Sequence, residues 1–149
     1  MYSLLHYDPH VKILQMADHI LQEPDVMIWK ERSMKAQQNQ FKFMDTSSIW
    51  IDSLRLVLAS DANDPYARFA FSQFSIHHKD YLQAIQSLQV CVQEEAFEWS
   101  DVALLQLAAL QIKMDDIKKA RIYLLQLQAK THTIAKVQDQ LLRYMEELI

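Results

Sequence analysis

His77, His78 and Asp80 form the densest group of metal-ligating side chains in the sequence. Histidines and carboxylates hold zinc when three or four converge at a fixed spacing, as when two histidines share one helical face. Here the histidines are adjacent and stand just ahead of an acid suited to start a helix. They read more simply as a helix C-terminus, where histidine is favourable against the carbonyl dipole. His6 and His10 are four residues apart, but Pro9 places His6 ahead of the helix, and His19 and His132 are isolated. No spacing matches a zinc signature, so no metal and no cofactor are expected.

Two acidic pairs, Glu94-Glu95 and Asp115-Asp116, have the composition of an acid–base site, which needs both carboxyls buried together. Asp116 is accounted for as a helix N-cap, and Glu94-Glu95 as a helix end running into solvent. Cys91 is the single cysteine. It excludes an intramolecular disulfide, and its place in an apolar helical stripe reads as a small buried residue rather than a nucleophile. Glycine is absent altogether. That removes the Gly-rich phosphate loop, the dinucleotide fingerprint and the nucleophile elbow. No catalytic residue is expected, and the chain reads as non-enzymatic.

The elements that carry these residues are helical. Asp80-Tyr81-x-x-Ala84-Ile85-x-x-Leu88-x-x-Cys91 is matched 36 residues later by Asp116-Ile117-x-x-Ala120-Arg121-x-x-Leu124-x-x-Leu127. Each is an acidic N-cap followed by apolar or small residues three to four apart, the pattern of a capped amphipathic helix. A repeat of this length points to stacked helical hairpins. The lack of glycine also argues against tight β-hairpins, whose primed turns favour it.

The other segments fit the same plan. Asp8-Pro9 opens a first helix with Val11, Leu14, Ala17 and Leu21 on one stripe. Asp25 starts a second, running to Met44, and Thr46, Ser47 or Ser48 a third. Pro65 begins a helix bearing Phe69, Phe71 and Phe74. Ser100 or Asp101 caps the next, and the Asp116 helix is expected to run to about Lys130. Thr131 or Thr133 caps the last, with Ile134, Val137, Leu141 and Leu148 on its stripe. The expectation is an all-α fold of about eight short-linked helices packed as antiparallel hairpins.

Length and composition place this in one domain. The chain has 149 residues, 50% hydrophobic and 23% charged, which suits a globular core. A net charge of −4 disfavours nucleic acid and anionic membrane surfaces. No secretory leader is visible and no apolar run approaches the ~18 residues of a membrane span, so a cytoplasmic location is the default.

The paired helices resemble tetratricopeptide repeats, a family built on a unit of about 34 residues. With Pro65 as the start of one unit, Phe71, Ser72, Tyr81, Ala84, Leu88 and Cys91 fall on the family's bulky and small positions, while Arg68 and Ser75 depart from it. In a unit starting near Asp101, Leu104, Leu107, Ala108, Ile117, Ala120, Leu124 and Leu127 fit and Gln111 departs. Asp61 to Pro65 resembles the turn between units; Leu54 fits ahead of it, but Trp50 stands where a small residue is usual. The resemblance covers Pro65 to about Lys130. It implies a TPR-like solenoid with divergent N-terminal helices over 1–44, a degenerate repeat helix over 45–64, repeats over 65–98 and 99–132, and a capping helix over 133–149.

The resemblance also implies a concave groove lined by Tyr66, Phe69, Gln73, Ile76 and His77 from one unit. Val102, Leu105, Ala109, Ile112 and Lys113 come from the next. The set is mostly apolar, so the implied partner is a protein or peptide presenting an apolar or amphipathic segment. A helix of the same chain, or of a second copy, is the alternative occupant, since an open apolar groove invites aggregation. The last helix, if not a cap, offers a stripe for a homodimer. By analogy of size and charge, small acidic repeat proteins of this kind look like cytoplasmic chaperones or adaptors of bacterial secretion systems. Two other classes stay open: an inhibitor or immunity protein covering a toxin or enzyme, for which the Glu94–Trp99 segment would serve, and a structural subunit of a homo-oligomer.

Overall fold

The computed structural model describes residues 8–22, 55–94 and 97–148. Among them every regular element is helical and there is no strand. The helix expected over Asp25–Met44 lies outside the described residues. Of the one expected after Thr46, a helical segment over 55–60 is described. The described residues hold six complete helices: α1 (Pro9–Gln22), α2 (Pro65–His77), α3 (Tyr81–Gln93), α4 (Ser100–Lys113), α5 (Ile117–Gln126) and α6 (His132–Leu148).

Asp64 and Pro65 start α2 by complementary means. The Asp64 carboxylate accepts from the backbone N–H groups of Tyr66 (2.9 Å) and Ala67 (3.2 Å), and Pro65 fills the first helical position, where an N–H would have no partner. Asp80 and Asp116 cap α3 and α5 in the same way, accepting from Gln83 N–H (3.3 Å) and Lys119 N–H (3.0 Å).

The turns joining α2 to α3 and α4 to α5 are copies of one another. In the first, Lys79 N–H donates to Ile76 C=O (3.0 Å) and Asp80 N–H to Ser75 C=O (2.8 Å). In the second, Asp115 N–H donates to Ile112 C=O (3.0 Å) and Asp116 N–H to Gln111 C=O (2.8 Å). These are the two bonds of a Schellman ending, which needs one residue in the left-handed region. Glycine normally supplies it. This chain has none, and Lys79 (φ 60°) and Asp115 (φ 62°) take the position instead. Each turn passes directly into an aspartate cap, so the reversal and the next helix start are fixed within three residues, and α2 packs on α3 and α4 on α5.

The centre of the molecule is α4. Every residue from Asp101 to Ile112 is buried, the signature of a helix enclosed on all sides rather than one with a wet face. It touches α3, α5, α1 and α6. Its start differs from the expected Ser or Asp cap: the helix begins at Ser100, preceded by Trp99, with no side-chain cap. Asp101 lies inside the first turn. One oxygen accepts from Val102 N–H (2.9 Å) and the other from Lys130 N–H (2.9 Å), across to the connection that follows α5. A carboxylate here also meets the positive end of the helix dipole.

Two further expectations are corrected. The Asp116 helix ends at Gln126, short of Lys130, because Leu127 is extended (φ −70°, ψ 127°). The Gln138 side chain, one helix later, replaces the missing turn by donating to the carbonyls of Leu124 (2.7 Å) and Leu127 (3.0 Å). The Glu94–Trp99 segment, which would serve an inhibitor, sends two of its side chains into the core. Phe97 and Trp99 are fully buried, and Phe69 lies against both rings at centroid distances of 5.9 and 6.3 Å. These two side chains plug the space between the two hairpins, so neither lies on a surface that could cover an enzyme.

Candidate functional site

Of the ten residues expected to line a groove, the structure buries seven. Phe69, Gln73, Ile76, Val102, Leu105, Ala109 and Ile112 are core, Tyr66 is half-buried, and His77 and Lys113 are exposed. On the α4 side the cover is identifiable. α1 lies against α4 and against α6, with Ile13, Ala17, Ile20 and Leu21 buried. Burying an Ile or Leu side chain is worth about 1.5–3 kcal/mol. Lys113, at the end of α4, donates from Nζ to Asp18 Oδ1 of α1 at 2.7 Å. That hydrogen bond holds the Lys113 ammonium above the ordinary lysine range, outweighing its partial desolvation.

The α2 side carries a polar device within the core. Gln73 and Gln106 exchange amide hydrogen bonds, Gln73 Nε2 to Gln106 Oε1 at 2.7 Å and Gln106 Nε2 to Gln73 Oε1 at 2.9 Å. Gln73 Nε2 also donates to Ser72 Oγ (3.0 Å). A buried amide tolerates this environment only when its bonds are made. The pair is satisfied from within, so it does not await a ligand.

At one end of α2, Tyr66 Oη donates to Glu98 Oε1 (2.8 Å), and its ring meets Phe97 edge-on at 5.2 Å. Burial, with the Glu98 carboxylate beside it, pushes the phenol up to about 12. Cys91 donates from Sγ to Pro65 C=O at 3.2 Å, and burial pushes its thiol well up. A nucleophilic cysteine needs the opposite shift.

The histidine pair closes α2. His78 is its C-cap residue; its ring lies 4.3 Å from that of Phe74 and 5.2 Å from that of His77. Among the described residues no three His, Cys, Asp or Glu side chains converge as a metal site. Asp115 and Asp116 are spent on the turn and the cap already described. Glu94 follows α3, and Glu95 lies outside the described residues. Among the described residues no helix is long and apolar enough to cross a membrane.

Where α1 and α6 meet, their outer sides leave a half-open cleft of about 400 Å³. Met16, Ile20 and Val137 supply its more buried wall, and Lys12, His19 and Tyr144 stand around it. Sequence reasoning missed it because it depends on α1 and α6 lying together, more than a hundred residues apart in the chain. The one legible signal was the shared spacing of Lys12, Met16 and His19 on α1 and of Val137, Gln140 and Tyr144 on α6.

Comparison of the chain with protein-family models, with curated proteins and with solved structures finds no match.

Proposed function

We propose that the protein is a non-enzymatic interaction module that binds an amphipathic helix of a partner protein on the face shared by α4 and α6. One observation carries this reading: that face already holds an amphipathic helix, α1 of the same chain. A surface shaped for one such helix is chemically suited to another of the same pattern. In the free protein α1 covers it, which removes the hazard of an open apolar face. A TPR-like stacking of α2–α3 and α4–α5 agrees with the identical turns and caps at a 36-residue offset. The acidic charge and small size suit a cytoplasmic chaperone or adaptor, in the manner of bacterial secretion systems.

The Asp18–Lys113 pair supplies a test by charge exchange. A fluorescent peptide of residues 9–22 is titrated against the full chain and against Lys113→Glu, alongside the same peptide carrying Asp18→Lys. The wild-type peptide should bind the wild-type protein about two- to five-fold better than the altered peptide, the ratio that a partly exposed ion pair sustains. On Lys113→Glu the order should reverse. The reading fails if neither peptide binds either protein, or if the order is the same on both.

A further inference from the structure

We propose that the cleft between α1 and α6 is a binding site for a small amphipathic carboxylate, a short apolar chain ending in a carboxyl group. The inference does not depend on displacement of α1; it requires α1 to be docked. The volume of about 400 Å³ lies within the roughly 300–1,000 Å³ usual for small-molecule sites, and seams between packed helices are a common place for them. A partner helix about 10 Å across needs far more room, so a macromolecular segment is the poorer fit.

The lining selects the chemistry. Met16, Ile20 and Val137 are the better-buried members and form an apolar wall. Lys12, Gln15, His19 and Gln140 are the exposed ones, and Lys12, Gln15 and Gln140 supply donors: an ammonium and two amides. The protein carries a net charge of −4, yet no carboxylate is among the described lining residues. Asp18, next to His19 in sequence, is turned to Lys113 instead. Lys12 makes no ion pair among the described residues. Lys12 and His19 lie two helical turns apart on one side of α1, with Met16 between them. A ligand with its head at Lys12 therefore lays its chain along Met16 toward Ile20 and Val137. Such a ligand bridges the first and last described helices, and it stabilises the folded chain because only that state presents both walls.

The test is calorimetric titration of the full chain with octanoate, with octanol as the neutral control, repeated on Lys12→Glu and on Met16→Gln. Lys12 lies at the surface and Met16 is half-buried, and circular dichroism verifies that the helices persist in both variants. Saturable binding of octanoate, at least tenfold weaker for octanol and at least tenfold weaker on Lys12→Glu, is the expected result. A peptide C-terminus offers the same chemistry, so acetyl-Leu-Leu with a free carboxyl is run in parallel. Binding of either acid with that loss on Lys12→Glu supports a carboxylate site, and the tighter of the two names its source. The proposal is overturned if neither acid binds saturably, if octanol binds as well, or if Lys12→Glu binds as the wild type does.

Discussion

Gln73 and Gln106 face each other across the interior as a reciprocal amide pair, each donating to the other at 2.7 and 2.9 Å. They belong to α2 and α4, the first helices of successive hairpins. The pair fixes the register between them, since a slip of one residue on either helix would break both reciprocal bonds inside the core. Gln106→Leu leaves the Gln73 amide only its bond to Ser72 Oγ, and Gln73→Leu strands the Gln106 amide. Each is expected to cost about 1–3 kcal/mol, the penalty of an unsatisfied buried polar group. The double Leu variant should cost clearly less than the sum of the two, and a double-mutant cycle from urea unfolding measures the difference.

Lys79 and Asp115 hold left-handed backbone without being glycine. Replacing either with glycine relieves the Cβ clash at some expense in chain entropy, with a net gain of about 0.5–1 kcal/mol. The two gains should add, because the sites lie in separate turns. Lys79→Val should destabilise by more than either glycine gains, since a β-branched residue is the least tolerant of positive φ. Thermal unfolding of the four variants, double included, gives the comparison.

Tyr66 is held neutral beyond the ordinary phenol range, up to about 12, by burial and by the adjacent Glu98. In an absorbance titration its ionisation should come late, and Tyr66→Phe should remove that late step alone. The linkage has a definite sign. The folded value lies above the unfolded one, so the contribution of Tyr66 is complete below about pH 10 and is lost as the pH rises toward 12. Alkaline unfolding of Tyr66→Phe should be less steep across that window.

Cys91 is the one thiol of the chain, fully buried and donating to Pro65 C=O. It should resist a thiol reagent in the native protein and react in urea. Its native labelling rate then reports how often the α2–α3 hairpin opens. Rapid labelling at neutral pH without denaturant would contradict the packing described.

The hairpin geometry was legible because its signals are local. Asp64-Pro65, Asp80 and Asp116 announce helix starts in their own sequence, and the spacing of Ala84, Leu88 and Cys91 gives the buried stripe. What was not legible depends on distant partners. Gln138 closes the end of α5 from the following helix, so nothing between Leu124 and Lys130 signals the stop at Gln126. Asp101 looked like a cap but is engaged by Lys130. The run Val102-Ala103-Leu104-Leu105 through Leu110 has almost no polar side, and that was the readable sign that α4 lies at the centre. The resemblance to repeats assigned its inner residues to a groove, but on the α4 side α1 covers them, and no pattern within α4 says what lies against it.

The docking of α1 sets the order of synthesis against the order of assembly. Asp18 and Lys113 are 95 residues apart, whereas each hairpin closes over a three-residue turn. Hairpins built from local contacts form early, and a contact of that sequence separation waits until its partner helix exists. On the ribosome α1 is made before α4 and is seated only after it. Its apolar side, with Ile13, Ala17, Ile20 and Leu21, therefore lacks its α4 and α6 partners until those helices have emerged. During that interval the nascent chain presents the very helix that the finished protein keeps covered, so chaperones acting on this chain should meet it at its N-terminal helix.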